Sequence, residues 1–146
     1  MRARLPFSVV TKPTGAACNL DCQYCFFLSK ELLYDAAAQT MSEQTLERYV
    51  EAFLESSPDG EVTMLWQGGE PTLRGLHFFE RLMDLCERYR RPTQSVRHAL
   101  QTNGTLVTDE WARFFADHGF LVGVSIDGPA PLHDAYRINR GGRGTH

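Results

Sequence analysis

Apolar residues recur along this chain in two rhythms, short strand-length runs and longer stretches with a repeat near 3.6 residues. Residues 7–11 (Phe-Ser-Val-Val-Thr) read as a first strand, broken at Pro13 and Gly15. Residues 42–56 read as a helix, with Ser42 as N-cap, Thr45 three positions on, and Leu46, Tyr49, Val50, Phe53 and Leu54 on one face. A second strand follows at 61–66. A helix at 76–89 carries Phe79, Leu82, Met83, Cys86 and Tyr89 as one stripe. The third strand spans 96–101 and stops at Asn103-Gly104. Thr108 then caps a helix that ends at Gly119, and the fourth strand is 120–126. That last run is almost wholly apolar, which predicts cover on both faces. Strands alternating with helices of about ten to fifteen residues predict βαβ units and a parallel α/β sheet. Right-handed crossovers would curl it into an open sheet or part of a barrel.

The punctuation between these elements carries the chemistry. Cys18, Cys22 and Cys25 follow the first strand, Gly68-Gly69-Glu70 the second and Thr102-Asn103-Gly104 the third, while Ser125 and Asp127 end the fourth. The C-terminal edge of a parallel sheet is where α/β folds bind ligands. Three thiols within eight residues can hold three corners of an iron–sulfur cluster. The remaining cysteine, Cys86, belongs to an apolar helical face and reads as a small core residue, so one iron would stay open. A disulfide is disfavoured because the chain shows no signal peptide. Structural zinc lacks a fourth ligand, and the polar Asn19, Asp21 and Gln23 argue against chance clustering of core cysteines. None of the five histidines is paired closely enough to suggest a metal. Arg137 and Arg140, beyond the fourth strand, could meet a carboxylate or phosphate, although surface arginines are the commoner explanation.

Composition narrows the field further. With 146 residues, 42% hydrophobic and 23% charged, the chain suits one modest globular domain. A net charge of −3 leaves no basic footprint for nucleic acid. No run approaches the roughly 18 apolar residues of a membrane span, so neither nucleic acid nor membrane is expected as a partner, and a cytoplasmic location is. Residues 140–146 are turn-rich with no closing element, which suggests a fragment.

The C-x3-C-x2-C spacing resembles the signature of the radical S-adenosylmethionine (SAM) superfamily. The strings around Lys12–Phe27, Trp66-Gln67-Gly-Gly-Glu-Pro-Thr72, Leu100-Gln-Thr-Asn-Gly-Thr105 and Ser125-Ile-Asp-Gly-Pro129 resemble, more specifically, its anaerobic sulfatase-maturating enzymes. That resemblance implies the first four strands of a (βα)6 barrel. Residues 1–146 would then be the N-terminal portion of a radical SAM core domain, without the rest of the barrel and a C-terminal domain holding auxiliary clusters. It implies a [4Fe-4S] cluster on Cys18, Cys22 and Cys25, and SAM bound by Gly68, Gly69 and Glu70 at its amino group. Asn103, Ser125 and Asp127 would contact its carboxylate and ribose, Tyr24 would lie near the adenine and Gln67 would face the peptide. Phe27 stands where some relatives carry Tyr.

The implied reaction oxidises a Cys or Ser of a sulfatase polypeptide to formylglycine. An electron donor such as flavodoxin or ferredoxin would start it, SAM would be cleaved to a 5′-deoxyadenosyl radical, and the expected catalytic base would lie beyond residue 146. Two other functions fit the same motifs. One is a maturase of ribosomal peptides; the other is a non-catalytic iron–sulfur regulator of sulfatase expression.

Overall fold

A computed structural model describes residues 2–27 and 40–146 of the chain. Four strands, β1 (Val10–Thr11), β2 (Gly60–Trp66), β3 (Gln94–Thr102) and β4 (Leu121–Val124), form one sheet in the order β1-β2-β3-β4. Every pairing is parallel, so each crossover places the next strand beside the last. Helices α1 (Glu43–Ser56), α2 (Leu76–Tyr89) and α3 (Asp109–Asp117) make the first three connections, and α4 (Ala130–Tyr136) follows β4. The predicted α/β class with a parallel sheet is what the chain adopts.

Local chemistry explains the boundaries. The Ser42 hydroxyl accepts from the Thr45 amide at 3.1 Å, and Thr108 caps α3 by accepting from the Trp111 amide. Strand alternation then decides which side chains are buried. Val62, Met64 and Trp66 of β2, with His98 and Leu100 of β3, turn toward the helices and form the core. The Trp66 ring meets Tyr49, Phe78 and Phe79 edge-on, at centroid distances of 5.9, 6.3 and 5.9 Å. Each such side chain, fully buried, contributes roughly 1.5–3 kcal/mol of transfer free energy. Cys86 belongs to this core, its Sγ 3.8 Å from the Met64 sulfur, and burial pushes its thiol up to about 12.

Two expectations are corrected. Only Val10 and Thr11 of the first predicted strand pair with β2. Upstream, Phe7 packs its ring on Phe53 of α1, 5.3 Å between centroids, which draws the chain toward the helix. In β4, Leu121 is 75% exposed, so the apolar run reflects one face on the helices and another bare face, not cover on both. A short helix, α4, and a 3-10 turn at Pro71–Arg74 were not anticipated. Among the described residues, no helix is long and apolar enough to cross a membrane.

Candidate functional site

The C-terminal ends of the four strands converge on one cavity. Its wall takes in Cys18, Cys22, Tyr24 and Cys25 from the loop after β1, Gln67, Gly68, Gly69 and Glu70 after β2, Asn103 after β3 and Ser125 after β4. Asp127 stands beside it and accepts from the Tyr24 hydroxyl. All the residues singled out by pattern therefore share one rim, although they are spread over 110 positions of the chain (Cys18 to Asp127).

The glycine pair is dictated by crowding within the chain itself. At Gly69 (φ +54°) an added Cβ would stand 2.1 Å from the Ala17 carbonyl oxygen, so no other residue fits there. The same carbonyl accepts from the Glu70 amide at 2.9 Å. The turn is thus bonded directly to the cysteine loop.

Glu70 is 1% exposed and already heavily used. Its Oε1 accepts from the Thr72 amide (3.1 Å), the Thr72 hydroxyl (2.7 Å) and the Thr102 hydroxyl (2.7 Å), and its Oε2 accepts from the Asn103 amide (2.7 Å). An ionised carboxylate offers about four lone-pair sites. Because three bonds crowd Oε1, Oε2 is the atom with capacity for an additional donor. Thr72 and Thr102 lie within the quoted motifs, but sequence reading assigns neither a role, because a buried hydroxyl looks like any strand-end threonine until its acceptor is known.

Around the thiols, the Cys18 sulfur accepts from the Leu20 amide at 3.4 Å and the Asn103 side-chain amide at 3.7 Å. Burial nevertheless raises its pKa above that of a free thiol, with these two donors pulling the other way. Burial also raises Cys22, opposed chiefly by the positive charge of Arg137. None of the four cysteines forms a disulfide. Among the described residues, no three His, Cys, Asp or Glu side chains converge as a single metal ion requires. A cubane binds each thiolate to a different iron, so its ligands spread apart, and three thiols on one loop beside N–H donors suit it.

Arg137 is the main residue that pattern reading misplaced. It is 8% exposed and not a surface arginine, donating from Nη1 to the Tyr24 hydroxyl at 2.8 Å. Arg140 does lie at the surface, with its Nε donating to the Cys18 carbonyl at 2.9 Å. Nothing in the local pattern at 136–140 announces a contact with residues 18–24; only the fold does.

Gln67 sits between two surfaces. One is the thiol-lined cavity, and the other is the bare sheet face formed by Leu65, Ala99, Leu121 and Gly123. Ser125 is held in place by the Gln101 side-chain amide, which donates to its hydroxyl at 2.9 Å.

Comparison with known proteins agrees with this geometry. The family model of the Radical SAM superfamily matches residues 13–146. The chain is 43% identical over 139 residues to a serine-type anaerobic sulfatase-maturating enzyme of Bacteroides thetaiotaomicron, covering 94% of this chain and 33% of the relative. It is 41% identical over 133 residues to a cysteine-type anaerobic sulfatase-maturating enzyme of Clostridium perfringens, covering 90% and 36%. The solved structure of native anSMEcpe with bound AdoMet and the Cp18Cys peptide superposes with a TM-score of 0.86 at 40% identity, covering 97% of this chain and 37% of that one. The chain thus spans about a third of the length of the relatives it matches. With the family model running from the cysteine loop to the last residue, and the matching motifs gathered on one rim, the chain belongs to the radical SAM superfamily.

Proposed function

We propose that this chain supplies the cluster-binding and SAM-binding part of an oxidase that converts a Cys or Ser of a sulfatase polypeptide to formylglycine. The observation that carries the reading is the meeting of three unbridged cysteines, the Gly-Gly-Glu turn and the ends of β3 and β4 in one cavity. In this reading Cys18, Cys22 and Cys25 hold a [4Fe-4S] cluster. When bound, that cluster and SAM supply a one-electron cleavage that generates a radical able to take hydrogen from a substrate carbon.

The protein's own residues orient and exclude. Glu70, fixed by four hydrogen bonds, presents Oε2 to an ammonium group without having to reorganise. Asn103, Ser125 and Asp127 offer polar contacts for a carboxylate and a ribose, and Tyr24 offers a ring face for adenine. Asn103 has a second duty, since its amide also donates to the Cys18 sulfur. Gln67, at the boundary between cavity and bare sheet face, is placed to meet a peptide. Residues 1–146 serve, in this proposal, as the N-terminal portion of a core domain, in keeping with the share of the relatives that they match. The partners are a sulfatase polypeptide and a small one-electron donor of the flavodoxin or ferredoxin type, in the cytoplasm.

The test begins with anaerobic reconstitution. About four irons and four sulfides per chain are expected, lost on Cys18→Ala, Cys22→Ala or Cys25→Ala and kept on Cys86→Ala. SAM should alter the electron paramagnetic resonance (EPR) spectrum of the reduced cluster, and an unchanged spectrum would favour the regulatory alternative. Mass spectrometry of a sulfatase-derived peptide treated with the full-length enzyme should show an aldehyde at the Cys or Ser. A cross-linked peptide would instead assign the protein to ribosomal-peptide maturation.

A further inference from the structure

Residues 136–140 run antiparallel beside the cysteine loop. The Asp21 and Gln23 amides donate to the carbonyls of Ile138 (2.8 Å) and Tyr136 (3.0 Å), and Leu20 pairs with Asn139. Arg137 lies at the centre of this clasp. Besides its bond to Tyr24, whose hydroxyl in turn donates a hydrogen bond to Asp127, the guanidinium keeps its Nε buried without a hydrogen-bond partner. A guanidinium does not deprotonate in proteins. Burying one therefore imposes a permanent positive charge on whatever lies alongside, and weak screening in the interior strengthens its reach.

We propose that Arg137, held by Tyr24 and Asp127, is a positioning residue that sets the electrostatic field at the Cys22 sulfur, and with it the potential at which a cluster on the cysteine loop accepts an electron. The inference rests on the cluster reading given above. Cys22 lies between Asp21 and Gln23, whose amides bond the residues on either side of Arg137, and Cys22 and Arg137 line the same cavity, so the guanidinium charge stands beside this thiol. Reduction adds one electron from an external low-potential donor and neither makes nor breaks a bond. The reduced state carries one more negative charge, so a fixed cation beside a ligand sulfur stabilises it, and loss of that cation makes reduction harder. Tyr24 and Asp127 serve to hold the guanidinium: Tyr24 takes one of its five N–H donors, and Asp127 orients Tyr24.

The experiment measures potential and not turnover. Protein reconstituted with iron and sulfide is assayed for both, then titrated with dithionite and mediators in the absence of SAM, the reduced cluster being followed by EPR. Arg137→Gln is expected to lower the ratio of reduced to oxidised cluster at a fixed potential about tenfold, a shift of about 59 mV for one electron. Arg137→Lys keeps the charge and should titrate close to the wild type. Asp127→Asn keeps an oxygen to accept from the Tyr24 hydroxyl while removing a negative charge, and should move the potential upward. If Arg137→Gln does not fold, Tyr24→Phe, which deletes the hydroxyl that holds the guanidinium, should lower the potential and carries the test. Equal potentials in all variants at full iron loading overturn the inference and leave the cluster reading standing. A wild-type protein that takes up no iron overturns both.

Discussion

Four donors converge on the Glu70 carboxylate, three on Oε1 from Thr72 and Thr102 and one on Oε2 from Asn103. Deleting the acceptor strands several of them in the interior, at about 1–3 kcal/mol for each buried donor left alone. Glu70→Ala is therefore expected to lower stability by roughly 3 kcal/mol or more, and Glu70→Gln by less, since it keeps one oxygen. Urea unfolding of the cluster-free protein checks this, and an Ala variant as stable as the wild type would refute the network. The Gln variant is then the cleaner probe of cofactor binding. His98 makes a second residue-scale prediction. It is 2% exposed, stacked on Phe120 and accepting from the Trp66 indole at 3.4 Å. Burial first, then the charge of His118, pushes its pKa down to about 4, from 6.5 in the unfolded chain. Between these values the unfolded chain binds the extra proton. Stability is thus full above pH 6.5 and is lost as pH falls toward 4, by roughly 3 kcal/mol in total. His98→Leu should flatten that part of the stability profile; parallel acid loss in both proteins would disprove it.

Legibility differed by element, for physical reasons. Helix α2 was readable to the residue and α1 and α3 nearly so, because each carries a full apolar stripe, joined in α1 and α3 by a side-chain N-cap. Short α4 has no side-chain N-cap and only seven residues. What anchors it is tertiary: His133 is buried and its Nδ1 accepts from the Asp127 amide at 3.3 Å. Rim residues were readable because glycine, cysteine and carboxylate have narrow chemical uses. Arg137 was not, since an arginine's burial depends on a partner 113 positions away. The clasp itself predicts a measurable protection. Asn139 accepts from the Gly141 and Arg143 amides through its Oδ1, at 2.9 and 3.1 Å, which fixes the turn behind the clasp. Asn139→Ala should cost about 1–2 kcal/mol locally. Faster hydrogen exchange at the Asp21 and Gln23 amides would report it, and unchanged exchange would show that the turn does not support the cysteine loop.

At the scale of the molecule, the helical face of the sheet is well covered, whereas Val10, Leu121, Val124 and Ile126 remain exposed at its edges or on the other face. An edge strand with bare apolar side chains is a template for association. The 146-residue chain is expected to self-associate as concentration rises, and Leu121→Lys to reduce this, as read by analytical ultracentrifugation. A monomer at all concentrations would contradict the prediction.

The clasp also has a consequence in time. Cys18 and Arg140, joined by a hydrogen bond, are 122 positions apart. At synthesis rates of about 5–20 residues per second, roughly 6–24 s separate their translation. Throughout that interval the three thiols lie on a nascent loop whose closing segment has not yet been made. Any delivery of iron to the finished geometry accordingly waits until residues 136–140 have been made, and the thiols must be kept reduced until then.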